Sequence, residues 1–328
     1  MIRDVNLPPK RKNQPKFKFI NALIGEPNFM GVVSSRWNVE IEGRPIQKLW
    51  SKLKRLQPIF RGMGRKVSRS AQKIQEYKDK LDHVQQKLNS DMFNPKLINE
   101  FKHWTEELLN STNMEEKSLM QNYKVDWLRL GDGNNAYFHA IMKEKNKQNG
   151  LHRLENNQGK ILDEFKDIEQ EIIQFYQKMI GTNTQTLMHV DIKDLRRGAQ
   201  LEENHREKLI QQVSEHEILQ SLKFIGESKA PGMDGFTSKL FKATWSIIKK
   251  YLIKVVLDLF DDKYMYDAVN YAIVTLIPKS TEAKKMKDMR LIASCSTVYK
   301  IISKILTNRL SKVINSSINF LSWESDSS

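Results

Sequence analysis

From Pro45 to about Ser90 the apolar positions recur at helical spacing. Ile46, Leu49, Trp50, Leu53 and Leu56 come first. Ile74, Tyr77, Leu81, Val84 and Leu88 follow in steps of three and four, which predicts one narrow apolar seam along a helix. Asp91 to Pro95 interrupts the pattern, and Leu97, Phe101, Trp104 and Leu108 resume it. An antiparallel helical hairpin closing through SDMFNP is therefore predicted, with Lys and Arg on its outer face as a basic lever. Such a charged exterior is equally that of any soluble helical hairpin. Upstream, residues 1–30 are rich in proline and basic residues, and the alternation Lys16-Phe17-Lys18-Phe19 reads as one short strand.

Beyond the hairpin, Trp127 to His139 (WLRLGDGNNAYFH) is turn-rich, with Gly131 and Gly133 free to take positive φ and Asp132 or Asn134 suited to cap a helix. Leu151 to Leu162 reads as a β-hairpin turning at Asn156 to Gly159. A helix is predicted from Glu164 to Ile180, with Ile168, Ile172, Phe175 and Met179 on one face. Residues 181–200 read as a loop. Two more helices, Glu202 to Gln212 and Ser214 to Phe224, follow, and Ser214 with Glu217 forms a capping box.

Lys229-Ala-Pro-Gly-Met-Asp-Gly-Phe236 then breaks the helical pattern. Pro231 stops what precedes it, Gly232 and Gly235 permit backbone geometry closed to other residues, and Asp234 can accept from neighbouring amides. A helix resumes near Thr237, with Leu240, Phe241, Trp245, Ile248 and Ile253 for its buried side. A rigid turn with Lys229 at its mouth suits a phosphate or a nucleic-acid backbone, although a proline-glycine turn alone is only a turn. Ala272 to Lys279 and Asp288 to Ser294 are β-prone runs around a polar turn, which predicts a basic-tipped hairpin. Thr297 to Leu310 is a helix with Val298, Ile301, Ile302, Ile305 and Leu306 apolar. The fold class is mostly α with a smaller α+β part.

The chain has 328 residues, with 39% hydrophobic content, enough for two or more modest domains. Its one cysteine, Cys295, excludes a disulfide framework, and no Cys/His cluster has zinc-ligand spacing. The first residues lack a signal-peptide apolar core, and no run is long and apolar enough for a membrane span. Pro8-Pro9-Lys10-Arg11-Lys12 has the composition of a nuclear import signal, and equally of a solvated terminus, so a nuclear or cytoplasmic location is expected. Charge is strongly segregated. Residues 1–90 carry 20 basic and 7 acidic residues, residues 91–222 carry 17 and 22, and residues 223–312 carry 17 and 8. Two basic blocks thus flank an acidic middle, which favours a phosphate backbone over other partners or else a lysine-rich solvated surface.

KAPGMDGF, AIVTLIPK and MKDMRLIASCSTVYKIISKILTNRL, in this order and spacing, resemble the start of the reverse transcriptase domain of non-LTR (LINE-type) retrotransposons, especially those of plants. WLRLGDGNNAYFHAIMKEK and WNVEIEGRPIQKLWSKLKRL are similar to the linker joining endonuclease to polymerase in the same polyproteins, so the resemblance covers about residues 15–314. It implies a helical-hairpin linker followed by incomplete right-hand polymerase fingers. The implied divisions are residues 1–40, a basic remnant after the endonuclease; 41–150, the basic helical linker; and 151–222, a β-hairpin plus helices. Residues 223–314 are then partial fingers and the start of the palm, and 315–328 an aberrant tail.

By the same resemblance Lys279 and Arg290 match basic fingers residues that meet the incoming nucleotide, the arginine at its triphosphate. Lys229, Lys239, Arg65, Lys66 and Arg69 are candidate nucleic-acid contacts. The sequence departs from the family at Met289, where an aromatic residue is common, and at Leu291, where proline is common; loss of that proline is expected to loosen the strand. The palm aspartate and the aromatic-x-Asp-Asp turn that hold two Mg2+ ions in the family have no counterpart. Asp261-Asp262 reads as a helix end. The expectation is a fragment that binds RNA and RNA/DNA hybrid, needs no cofactor of its own and does not polymerise. The alternatives are a domesticated RNA- or DNA-binding protein and an inert product in which Ile273, Leu276, Ile301 and Ile305 lack the palm they would pack on.

Overall fold

The computed structural model describes residues 17–68, 70–123, 153–156, 158–181, 201–262, 265–280 and 282–324. It is mostly helical with two small antiparallel sheets. The first part holds α1 (Phe29–Trp37), α2 (Pro45–Ser68), α3 (Ser70–Ser90) and α4 (Pro95–Tyr123). A two-residue ladder, β1 (Leu154–Glu155) with β2 (Ile161–Leu162), precedes α5 (Phe165–Gly181), α6 (Glu203–Ile210) and α7 (Glu215–Phe224). The last part holds α8 (Ser238–Ala243), α9 (Trp245–Asp262), α10 (Asp267–Asn270), the hairpin β3 (Ile273–Pro278) and β4 (Met289–Ser294), and α11 (Thr297–Glu324).

Local chemistry accounts for most boundaries. The Ser214 side chain accepts from the Glu217 amide while Glu217 accepts from the Ser214 amide, so the capping box starts α7 as expected. Asn94 caps α4 by accepting from the Lys96 amide, and Pro95 occupies the first helical position, where no N–H is needed. The α3–α4 hairpin forms with its predicted seam half-buried, and Tyr77 stacks on Trp104 at 5.7 Å.

One core spans the chain. It joins Phe19, Leu23, Phe29 and Trp37 to the inner side of α2, to α7 and α9, and to Val298, Ile301, Ile302 and Ile305 of α11. Ile301 and Ile305 are fully buried in it, with α11 packed on α7, α6 and α10, so the expectation that they stay uncovered for want of a palm is corrected. Phe60 sits at the meeting point, 4.9 Å from Phe19 and 6.4 Å from Phe236. Lys52 is also turned inward. Its ammonium donates to the carbonyls of Trp37 and Val39 and lies 4.5 Å from the Tyr251 ring centroid, which satisfies the open end of α1.

The KAPGMDGF turn clamps this core. Phe17 to Ile20 run extended across it and join no strand, so the predicted strand is corrected; Lys16 lies outside the described residues. The Phe19 amide donates to the Gly235 carbonyl (2.9 Å), Gln57 donates to the Asp234 carbonyl (2.9 Å) and the Lys300 ammonium donates to the Ala230 carbonyl (2.6 Å). Gly235 has φ +74°, and its α-carbon faces the Phe17 backbone; Gly232 faces the Cys295–Ser296 backbone. The two glycines are therefore required by close approach of three chain segments at one point.

Burial pushes the Asp234 carboxyl up to about 6, against the opposing pull of the Phe236 amide and the Lys300 and Lys54 cations. Between its ordinary value of 3.8 and about 6 the folded state binds the extra proton. Stability from this group therefore falls as pH rises through that window. Urea midpoints taken from pH 4 to 7 are expected to show a downward contribution that Asp234→Asn removes; an identical pH slope in the variant would refute the assignment.

Other expectations change in detail. The helix predicted from Thr237 is two helices parted at Thr244, and α9 buries Leu252, Val255 and Val256, whereas Ile253 is half-buried. Met179 is 59% exposed. The helix predicted to end at Leu310 continues to Glu324. The α3–α4 hairpin is not basic: residues 70–123 carry 7 Lys and 9 Asp or Glu. The segments Trp127 to His139 and 182–200 lie outside the described residues.

Candidate nucleic-acid interface

The β3–β4 hairpin forms because a run of β-branched and aliphatic residues meets a second one across a polar turn. Six residue pairs are in register, from Ile273 with Ser294 to Pro278 with Met289. Leu291 pairs with Leu276 inside that ladder, so the strand is fully paired at the position where the proline was expected. Paired residues share a face and successive residues alternate. Arg290 pairs with Ile277, and Lys279 lies two residues beyond Ile277, so Lys279 and Arg290 rise from one face at the closed end. Both are exposed. The Lys279 amide donates to the Asp288 carbonyl (2.9 Å) and its ammonium to the Lys287 carbonyl (2.7 Å), which ties it to the tip.

A satellite core supports the tip from the opposite face. Met289 and Met286 are buried with Leu154, Leu162 and Ile168, and Leu276 packs beside them. The Glu155 amide donates to the Lys284 carbonyl (2.8 Å), and the Glu155 carboxylate meets the Lys285 ammonium at 3.0 Å. The β1–β2 ladder with α5 is thereby fastened to the loop between β3 and β4. Towards the open end the hairpin is bare on both sides, with Val274 51% and Ile292 46% exposed.

The remaining candidates lie elsewhere. Lys229 is exposed beside the clamp turn, and Lys239 is half-buried with its ammonium 3.2 Å from Glu227. Arg65 is exposed near the end of α2, which also carries Lys66, while Arg69 lies outside the described residues. Sequence reasoning missed Lys54 and Arg61, which are exposed on the same helix; the signal available was the spacing, seven residues from Lys54 to Arg61 and four from Arg61 to Arg65. Asp261 and Asp262 end α9 as expected, and Asp262 lies 3.8 Å from Arg44. Among the described residues no three His, Cys, Asp or Glu side chains gather as a metal site, and no helix is long and apolar enough to cross a membrane.

No family model matches the chain. Over 210 residues it is 23% identical to a Xenopus laevis protein described as "Transposon TX1 uncharacterized 149 kDa protein". The match covers 64% of this chain and 16% of that protein, so the chain corresponds to a small part of the relative's length. The similarity is to a protein of a transposable element.

Proposed function

We propose that this chain is part of a LINE-type retroelement polyprotein, comprising the linker before the polymerase and the fingers, and that it binds RNA and RNA/DNA hybrid without polymerising unaided. The observation that carries the reading is the basic face at the closed end of the β3–β4 hairpin, where Lys279 and Arg290 rise together on a rigidly backed support. Ammonium and guanidinium donors there suit the charge of a nucleotide triphosphate or a template backbone. Similarity to a transposon protein supports the same reading, and among the described residues no three His, Cys, Asp or Glu side chains gather as a two-metal site for nucleotide addition would need.

The test is fluorescence anisotropy of the full chain with a short RNA and with an RNA/DNA hybrid across a salt series, with primer extension in Mg2+ on the same samples. Tight binding at low salt that weakens steeply, without extension, is the expected result. No binding at 50 mM salt would leave an inert remnant, and any extension would overturn the catalytic part of the proposal.

A further inference from the structure

The cations of α2 are distributed unlike those of any other long helix in the structure. Its 24 residues, Pro45–Ser68, include seven Lys and Arg and no Asp or Glu. A helix kept soluble by charge ordinarily mixes both signs, and opposite charges three or four residues apart add to its stability. The neighbouring hairpin does this: Lys80 meets Glu76 at 2.6 Å. Within α2 no such pair can form, because the helix has no carboxylate. Lys52 is used internally, as described above.

Geometry sorts the others. Residues 54, 58, 61, 62 and 65 are exposed and lie on one side of the helix, since steps of four, three and four keep to one face. Lys54, Arg61 and Arg65 therefore form a row about 16 Å long. Among the described residues none of the three is in a salt bridge. Lys54 lies 5.0 Å from the Trp50 ring and Arg61 lies 5.8 Å from the Phe17 ring, so each is steadied by an aromatic face while its charge stays in water.

Between the cations stand Pro58 and Gly62, residues that add no long side chain to hold an approaching backbone away. Gly62 has open space where a Cβ would be, in contrast to Gly64 one turn-face away, whose Cβ position is 3.1 Å from Ile20 in the core. Two glycines in one helix thus face opposite environments. Gly64 is explained by packing, and Gly62 is not.

We infer that this face of α2 seats one phosphate backbone of a nucleic acid, with Lys54, Arg61 and Arg65 as its contacts and Gly62 at the point of closest approach. The inference rests on the nucleic-acid reading above and assigns it a second surface, away from the β3–β4 hairpin. A membrane surface fits the face less well, because α2 exposes no large apolar residue beside its cations. Phosphate contacts of this kind carry position and affinity, not sequence preference.

The experiment measures salt-dependent anisotropy of the full chain with a single-stranded RNA, an RNA/DNA hybrid and duplex DNA. Three proteins are compared: wild type, K54Q/R61Q/R65Q and Gly62→Glu. Each lost phosphate contact lowers the slope of log K against log salt by about 0.7 to 0.9. The triple variant is expected to lose about 2 to 3 from the slope on all three probes while keeping a cooperative thermal unfolding transition. Gly62→Glu, which meets no neighbour, is expected to weaken binding without removing any cation. Steep wild-type binding with an unaltered slope in the triple variant would overturn this inference and leave the broader proposal standing. Absence of wild-type binding would sink both. Stronger binding to phosphatidylserine vesicles than to RNA, lost in the triple variant, would assign the face to lipid and overturn it too.

Discussion

Gly235→Ala is expected to destabilise the protein by about 3 to 4 kcal/mol, combining the cost of a left-handed backbone with that of a forced steric contact. The glycine has φ +74°, and a methyl group there would stand 2.1 Å from the Phe17 carbonyl oxygen and 2.7 Å from the Phe17 ring. Backbone, not a mobile side-chain end, is in the way. Relief requires the Phe17 to Leu23 segment to lift, which breaks the Phe19–Gly235 hydrogen bond and opens the Phe19–Phe60 contact. Gly232→Ala meets a similar obstacle, 2.4 Å from the Ser296 amide nitrogen, and serves as a second reading of the same junction. Urea denaturation of both variants decides it. A Gly235→Ala midpoint within error of wild type would mean that the first segment does not hold the turn.

Arg309→Met should cost about 1 to 3 kcal/mol, since it removes charge-assisted hydrogen bonds from a half-buried pair whose carboxylate keeps some access to water. The guanidinium is 9% exposed and makes a two-pronged contact with Glu217, both prongs at 2.9 Å. Its third nitrogen donates to the carbonyls of Leu209 (3.1 Å) and Gln211 (2.6 Å). One side chain of α11 therefore closes the end of α6 and anchors the carboxylate that caps α7. Arg309→Lys is not expected to rescue, because an ammonium cannot reproduce the planar fork. The contact also fixes a pH signature opposite to that of Asp234. Hydrogen bonds from Arg309 hold the Glu217 carboxyl below its ordinary value of 4.5, so its contribution is complete above that pH and is lost as pH falls further. Loss of stability below pH 4.5 should be shallower in Arg309→Met than in wild type, and equal steepness would refute the pairing.

The helices were legible in the sequence wherever a stripe of apolar residues had one clear period. The α3–α4 seam and the α7 capping box are local patterns, and local patterns survive folding. The clamp was not legible, because its meaning depends on a contact between residues about 200 apart in sequence. Nothing near Gly235 announces that Phe17 passes over it. The burial of Ile301 and Ile305 was misread for the same reason: a helix face shows that it needs a partner without showing which one. Within the candidate interface, the placement of Lys279 and Arg290 on one face followed from β alternation once the register was known. The α2 row escaped notice because Lys52, one residue off its period, looks like a member of the row and is a buried structural lysine instead.

The main core has a consequence for how the chain is made. Residues up to Val67 and residues from Val213 to Ile305 pack together, so roughly 240 residues must be synthesised after the first half of the core before its last partner arrives. At about 5 to 20 residues per second that interval is on the order of tens of seconds. Throughout it the apolar side of α2, with Leu49, Leu53, Leu56 and Phe60, waits on the ribosome without its cover. A chain built this way offers that apolar face to chaperones during translation. Ribosomes stalled after residue 150 should hold its first segment protease-sensitive and chaperone-bound, and those stalled far enough beyond Ile305 for that residue to have left the exit tunnel should release it.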